Sequence, residues 1–264
     1  MTIHNWIRNR ELRGLVTFSV EELKSAFSEK PATTIKTELS RLVKQGYISS
    51  VYRGFYVVVP VHYQLKGIVP PNYYIDMLMR YVGKPYYISL LSAAAMHGAS
   101  HQQVMLTQVT TIAPRIKLSS KNPYLNWNYR KTIPEASVLT KNADMGVVRY
   151  SNPELTAIDL VQFADNIGGY QRAATVLAEL VDAIDMAKMP EIVPYTTIAT
   201  LQRLGYLLEH SLAEQDKSDA LFQILKEQGH WNSVLLRNNY PKNEASPPNR
   251  WHVNGNVEIE IDDL

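Results

Sequence analysis

The spacing of the apolar residues changes at Gly46, and this change restricts what the first sixty residues can fold into. Over residues 32–45, apolar side chains recur every three or four positions, which is the spacing of a buried helix face. Over residues 47–59 they follow the period of two that is typical of strands, interrupted by the turn Arg53-Gly54. Because glycine commonly ends a helix, we expect a helix that stops at Gly46 and a β-hairpin after it.

Two shorter helices are predicted before this one. Trp6 and Ile7 mark the first, and the second begins after Ser19, which forms a capping box with Glu22. The expected buried residues of the second helix are Leu23, Ala26 and Phe27. The order helix, helix, turn, helix and hairpin is that of a winged helix-turn-helix, which we predict for residues 1–60.

In a winged helix-turn-helix, the third helix enters the major groove of DNA and the hairpin lies along the phosphate backbone. Short hydroxyl side chains suit the base edges, and long cationic side chains suit the phosphates. The predicted DNA-binding residues lie on the outward face of the third helix and in the hairpin: Thr33, Thr34, Lys36, Thr37, Ser40, Arg41, Lys44, Tyr52 and Arg53. Two alternatives stay open, because these residues could form an ordinary solvated face or the winged helix could bind a protein.

The charge of the chain is divided unevenly along its length. Residues 1–150 contain 19 lysines and arginines against 8 aspartates and glutamates, whereas residues 151–264 contain 8 against 17. A basic half and an acidic half favour one part that faces a polyanion and a separate acidic part. Uneven solvation of two domains gives the same distribution, so the charge favours nucleic-acid binding without establishing it.

The remaining residues, 61–264, are predicted to form a larger mixed α+β domain, with helices packed on a modest antiparallel or mixed sheet. Helices are expected over residues 73–81, 89–97, 170–184, 196–210 and 218–228. A further helix should begin at residues 151–154, which read as a capping box with a proline in the first turn. Strands are expected over residues 104–113, 147–150 and 251–261.

The sequence contains no recognisable catalytic or metal-binding motif. It lacks the GxSxG and HExxH patterns, and residues 167–169 lack the spacing of a phosphate-binding loop. His97 and His101 stand four positions apart, but Gly98 lies between them and no acidic ligand completes a site. The absence of cysteine excludes disulfides, thiolate zinc sites and a cysteine nucleophile. We therefore predict no catalytic residue, no metal and no cofactor.

The acidic end of the chain leaves an enzymatic alternative open. If residues 251–261 form a strand, Glu258, Glu260 and Asp262 point to the same face. Three carboxylates in this arrangement could bind magnesium in a metal-dependent enzyme acting on nucleic acid or nucleotides. The pattern is equally typical of a strand with its acids in solvent, which we favour because no second acidic motif accompanies it.

The apolar segments of the chain are short. No apolar run reaches the roughly 18–20 residues that a membrane span requires. The first twelve residues also lack the apolar core of a signal peptide. These features favour a cytoplasmic protein without a membrane partner.

Seven short segments, taken in their order along the chain, are distinctive. They are residues 39–46, 53–56, 86–93, 97–98, 151–160, 203–209 and 251–261. Together they span both predicted domains and resemble the AbiEi antitoxin family of bacterial type IV toxin–antitoxin and abortive-infection systems. The run 155–159 is less charged than the family pattern, which leaves the subgroup open.

The resemblance implies that the winged helix represses the protein's own operon by binding repeats in the promoter. It implies that residues 61–264 are an antitoxin domain, which counters a cognate nucleotidyltransferase-like toxin without forming a stable complex with it. It also implies a part in phage defence and no enzymatic activity. The residues themselves favour DNA binding and carry no information about a toxin.

Overall fold

The computed structural model describes residues 1–64, 69–99, 106–113, 124–143 and 146–261. The chain forms two compact units. Unit 1 comprises residues 1–86, 105–129 and 140–149, and unit 2 comprises residues 87–104, 130–139 and 150–264. Unit 1 contains 17 lysines and arginines against 7 aspartates and glutamates, and unit 2 contains 10 against 18, so the uneven charge follows the units. The predicted boundary at residue 60 separates two expected functions and stays a prediction.

The first part of unit 1 contains three helices and a small sheet. The elements are α1 (Ile3–Glu11), β1 (Thr17–Ser19), α2 (Val20–Ala26), α3 (Ala32–Lys44), β2 (Ile48–Tyr52) and β3 (Phe55–Val58). The strands pair antiparallel in the order β1-β3-β2. The order of the three helices and the hairpin is the expected one, whereas β1 was not predicted.

Local hydrogen bonds explain where these helices begin and end. The hydroxyl of Ser19 accepts from the backbone N–H of Glu22 at 3.0 Å, and the Glu22 carboxylate accepts from the Ser19 N–H at 2.7 Å. The predicted capping box of α2 is therefore confirmed. Gly46 ends α3 with a φ of 70°, a conformation that favours glycine. The expectation that Ala26 is buried was wrong, because Leu23 and Phe27 cover the core while Ala26 faces solvent.

The rest of the chain alternates short strands and helices. The helices are α4 (Val61–Gln64), α5 (Ile75–Val82), α6 (Leu90–Met96), α7 (Pro153–Gln162), α8 (Tyr170–Leu180), α9 (Ile198–Tyr206) and α10 (Gln215–Lys226), with a π-helical turn at Leu207–Ser211. The strands are β4 (Tyr86–Ile88), β5 (Thr107–Thr111), β6 (Leu125–Tyr129), β7 (Val138–Ala143), β8 (Gly146–Ser151), β9 (Val234–Leu235) and β10 (Val253–Asn254). The predicted mixed α+β class is confirmed.

A five-stranded sheet has the strand order β6-β5-β4-β8-β7. Strands β5 and β6 are parallel, with Thr107 opposite Leu125 and Thr111 opposite Tyr129. Strands β4 and β8 are also parallel, with Ile88 opposite Tyr150. Parallel neighbours cannot be joined by a tight hairpin turn, and β4 and β8 accordingly lie far apart in the sequence.

Helix α7 begins one residue later than the predicted capping box. Asn152 is the cap, and its side-chain oxygen accepts from the N–H of Leu155 at 2.9 Å, while Pro153 occupies the first helical position. The Glu154 carboxylate accepts instead from the N–H of Asp185 at 2.8 Å. The capping box at residues 151–154 was therefore wrong, because Glu154 is buried and bonded to a distant segment.

An ion pair between Arg130 and Asp159 is buried in unit 2, and the two side chains are only 2% and 0% exposed. Arg130 donates to Oδ1 of Asp159 from Nε at 3.0 Å and from Nη2 at 2.5 Å. The hydroxyl of Tyr87 donates to Oδ2 at 2.8 Å. Burial raises the pKa of Asp159, and the charge of Arg130 and the hydrogen bonds from Arg130 and Tyr87 oppose this rise. Arg130 also donates to the carbonyl of Tyr195 at 2.7 Å, so the pair joins four segments of the unit.

A second cluster of unit 2 surrounds the buried side chain of Trp251. Its ring lies directly over Gly205 of α9, where a Cβ atom would overlap the ring. The indole N–H donates to Oε2 of Glu209 at 2.7 Å, and Arg250 donates to the same oxygen at 2.6 Å. Burial alone would raise the pKa of Glu209, but hydrogen bonds from Trp251, Arg250 and Ser218 hold it below its ordinary value. Since glycine weakens a helix interior, this close approach explains its presence in α9.

Removing one partner of the buried ion pair should destabilise the protein strongly. Arg130→Met or Asp159→Leu leaves an unpaired charge in the interior, and we expect each to lower the free energy of unfolding by about 3–5 kcal/mol. The double variant leaves neither charge and should recover most of this loss. Urea unfolding of the three variants checks the expectation, and losses that simply add in the double variant would contradict it.

Replacing Gly205 with alanine should force the Trp251 ring from its site. We expect Gly205→Ala to lower the free energy of unfolding by about 1–3 kcal/mol or more. In a Trp251→Ala background, the same change should have little effect or stabilise slightly, since alanine favours the helix by about 1 kcal/mol. Denaturant unfolding of both pairs of variants measures this difference, and an equal loss in the two backgrounds would rule out the ring contact as the cause.

Candidate nucleic-acid interface

Helix α3 separates an apolar face from a polar one. Ile35, Leu39 and Leu42 are buried in the core formed by the first sixty residues. The seven predicted DNA-binding residues of this helix are all exposed: Thr33, Thr34, Lys36, Thr37, Ser40, Arg41 and Lys44. The buried stripe at helical spacing turns these side chains toward solvent, so they form one outward surface, called here the α3 face.

Few contacts restrain the α3 face. The hydroxyl of Thr37 donates to the carbonyl of Thr33 at 3.0 Å, and Arg41 lies 3.8 Å from Glu38 in a solvent-exposed ion pair. Such an exposed pair contributes little to stability, so Arg41 can leave Glu38 and bind another anion. Within the described parts of the chain, the side chains of Thr34, Lys36 and Lys44 make no hydrogen bond or ion pair.

The hairpin places its two predicted residues differently. Arg53 is exposed in the two-residue turn between β2 and β3, and its neighbour Gly54 has a φ of 75°. The carbonyl of Gly54 accepts from the N–H of Val20 at 2.8 Å, which fastens the turn to the beginning of α2. Tyr52 is half-buried, with its ring 6.2 Å from that of Tyr81 in an edge-on arrangement. The side chain of Arg53 is therefore accessible to a ligand, and that of Tyr52 is only partly so.

Unit 1 also contains a cationic cavity that the sequence did not indicate. It has a volume of about 370 Å³, and its lining includes Arg80, Lys84, Arg149 and Asp76. Arg80 pairs with Asp76 at 2.8 Å, and Lys84 and Arg149 add two further positive charges to the lining. These cations come from separate segments of the chain, so no motif joins them in the sequence.

The acidic end of the chain does not form the predicted strand. Only Val253–Asn254 is extended in a sheet, and residues 255–261 have no regular structure. The side-chain amide of Gln171 donates to the carbonyl of Glu260 and accepts from its N–H at 3.0 Å, so a side chain replaces the expected neighbouring strand. The predicted strand at Glu258 and Glu260 was therefore wrong, although both side chains are exposed between partly buried apolar residues, as expected. Asp262 lies outside the described residues.

The structure describes one of the two histidines that were considered as metal ligands. Nε2 of His97 lies 2.7 Å from the carbonyl oxygen of Ser151 and so is engaged with the backbone. His101 lies outside the described residues. Over the residues that the structure describes, no three histidine, aspartate or glutamate side chains cluster as metal ligands would. In the same residues, no helix is both long and apolar enough to cross a bilayer.

The fold has a solved counterpart. The chain is similar to the RV2827C protein from Mycobacterium tuberculosis, with a TM-score of 0.65 and 14% sequence identity, over 94% of this chain and 90% of that one. At this identity, the likeness defines the class as an α+β protein with the same fold. No curated protein matches the chain with significance.

Residues 87–210 match the family model of the AbiEi antitoxin C-terminal domain. The chain therefore carries the C-terminal domain of the AbiEi antitoxin family, which confirms the resemblance and supports an antitoxin role in a toxin–antitoxin or abortive-infection system. The matched residues include the ion pair of Arg130 and Asp159, and they include Gly205 and Glu209 beneath Trp251.

Proposed function

We propose that this antitoxin also represses its own operon, by binding repeats in promoter DNA through a winged helix-turn-helix formed by residues 1–60. The observation that carries the proposal is the α3 face, where all seven predicted side chains are exposed opposite a buried stripe. Hydroxyls near base edges and cations near phosphates are the groups that DNA recognition uses. Arg53, exposed in the hairpin turn, is suited to a phosphate beside the groove.

The charge of unit 1 supports the same assignment. Unit 1 has 17 lysines and arginines against 7 aspartates and glutamates. Cations that neutralise DNA phosphates release the counterions of those phosphates, and this release favours binding. Lys84 and Arg149, which line the cationic cavity, are further candidates for phosphate contacts. A protein-binding winged helix, the alternative, has no need of this excess.

The antitoxin role belongs to residues 61–264 in this proposal. The family match at residues 87–210 supports it, and the resemblance implies a nucleotidyltransferase-like toxin that is countered without a stable complex. Antitoxins of this family are generally non-enzymatic, and we assign the chain no catalytic residue, metal or small-molecule cofactor. We place its action in the cytoplasm, where an operon and its toxin meet.

Substitutions on the α3 face should separate base reading from phosphate contact. Alanine at a base-reading position among Thr34, Lys36, Thr37 and Arg41 should weaken binding to promoter DNA by about 1–3 kcal/mol and have little effect on random DNA. Alanine at Lys44 or Arg53 should weaken both about equally, because phosphates are common to all DNA. Fluorescence anisotropy with the two DNAs over a series of salt concentrations measures these effects.

A matched control is Lys188→Ala, which removes an exposed lysine from unit 2 and should leave both affinities unchanged. Equal weakening on promoter and random DNA by every α3 variant would show that this helix is not the reader. Wild-type promoter binding by all of the variants would refute DNA binding through this face and favour a protein partner.

The acidic end should be dispensable for antitoxin activity. We expect the triple variant Glu258→Gln, Glu260→Gln and Asp262→Asn to rescue growth against the cognate toxin as the wild type does, because Glu258 and Glu260 are exposed and belong to no metal-binding cluster among the described residues. Thermal melting of the same variant shows whether the fold is kept. Lost rescue with an unchanged melt would contradict the non-enzymatic assignment and revive the metal-dependent alternative.

A further inference from the structure

Tyr81 of helix α5 contacts the hairpin turn from outside the predicted DNA-binding domain. Its hydroxyl donates to the carbonyl of Arg53 at 3.3 Å. Its ring lies 5.3 Å from that of Phe55, which follows the turn, and 6.2 Å from that of Tyr52, which precedes it. One side chain therefore touches the turn and the strand residue on each side of it.

The approach of Tyr81 to the turn is close. A Cβ atom at Gly54 would lie 2.8 Å from the Tyr81 hydroxyl oxygen, so a larger residue there would displace the hydroxyl. The carbonyl of Gly54 is bonded at the same time to the N–H of Val20. The turn is thus held by α2 through a backbone hydrogen bond and by α5 through a phenol, and its backbone has little freedom to pivot.

The Tyr81 hydroxyl stays protonated at the pH of the cytoplasm, where we expect the protein to act. Burial raises the pKa of Tyr81, the charge of Glu21 and a hydrogen bond with its carboxylate add to the rise, and Arg53 opposes it. A protonated phenol has one hydrogen to donate, and both the Arg53 carbonyl and the Glu21 carboxylate lie within its reach. The side chain of Arg53 itself points to solvent and is free to take another partner.

We propose that Tyr81 is a positioning residue for the hairpin, which holds the turn so that Arg53 is presented to the DNA backbone. The DNA-binding module then extends beyond residue 60 and includes α5. This inference rests on the proposed function. An arginine on a fixed turn loses less conformational entropy on binding than one on a free turn, and this preorganisation is what Tyr81 supplies.

The test is a double-mutant cycle in the full chain, with binding to promoter DNA as the measurement. Tyr81→Phe removes the hydroxyl and keeps both ring contacts, and we expect it to weaken binding about three- to ten-fold, the range of one hydrogen bond. In an Arg53→Ala background, the same change should have almost no effect, because there is no side chain left to position.

Tyr47→Phe is the matched control. It removes a hydroxyl that bonds to Glu11 at 3.2 Å, within unit 1 but apart from the turn, and it should leave DNA affinity unchanged. A merely structural role for Tyr81 would weaken binding equally with and without Arg53, and this result would overturn the inference.

Thr34→Ala and Arg41→Ala, measured alongside, separate this inference from the proposed function. If they weaken promoter binding and Tyr81→Phe does not, DNA binding stands and the positioning role is wrong. If none of the variants changes promoter binding, the proposed function and the inference fail together.

Discussion

The buried ion pair of Arg130 and Asp159 is the interaction on which unit 2 depends. Its partners come from β4, from the residue after β6, from α7 and from the segment before α9. A single charge in the interior is unstable without its counterpart, so neither Arg130 nor Asp159 can be buried without the other. All of these bonded residues lie within residues 87–210, which match the antitoxin family model.

The cluster around Trp251 packs the last part of the described chain against helix α9 in unit 2. Residues 203–209 and 251–261 were two separate parts of the family resemblance, and the structure joins them. Gly205 leaves room for the ring, and Glu209 accepts its N–H within a π-helical turn. The Trp251 segment lies beyond the matched residues 87–210, so the stable unit is longer than the part that the family model covers.

The distribution of charge agrees with separate functions for the two units. Unit 1 is basic and presents the α3 face and Arg53, while unit 2 is acidic and contains most of the residues that match the antitoxin family model. A basic unit attracts nucleic acid at long range, and an acidic one does not compete for the same ligand. The contact of Tyr81 with the hairpin turn shows that structural support for the proposed DNA-binding residues comes from beyond residue 60.

The sequence alone determined the elements whose causes are local. The capping box of Ser19 and Glu22, the stop at Gly46 and the buried stripe of α3 all depend on residues within a few positions of one another. Tertiary structure decided what depends on distant partners. Short strands such as β4 and β6 exist because neighbours pair with them, since strand propensity is largely context. The bond of Glu154 to Asp185, the irregular end at Glu260 and the ion pair of Arg130 with Asp159 depend on contacts over 29 or more residues, which no local pattern records.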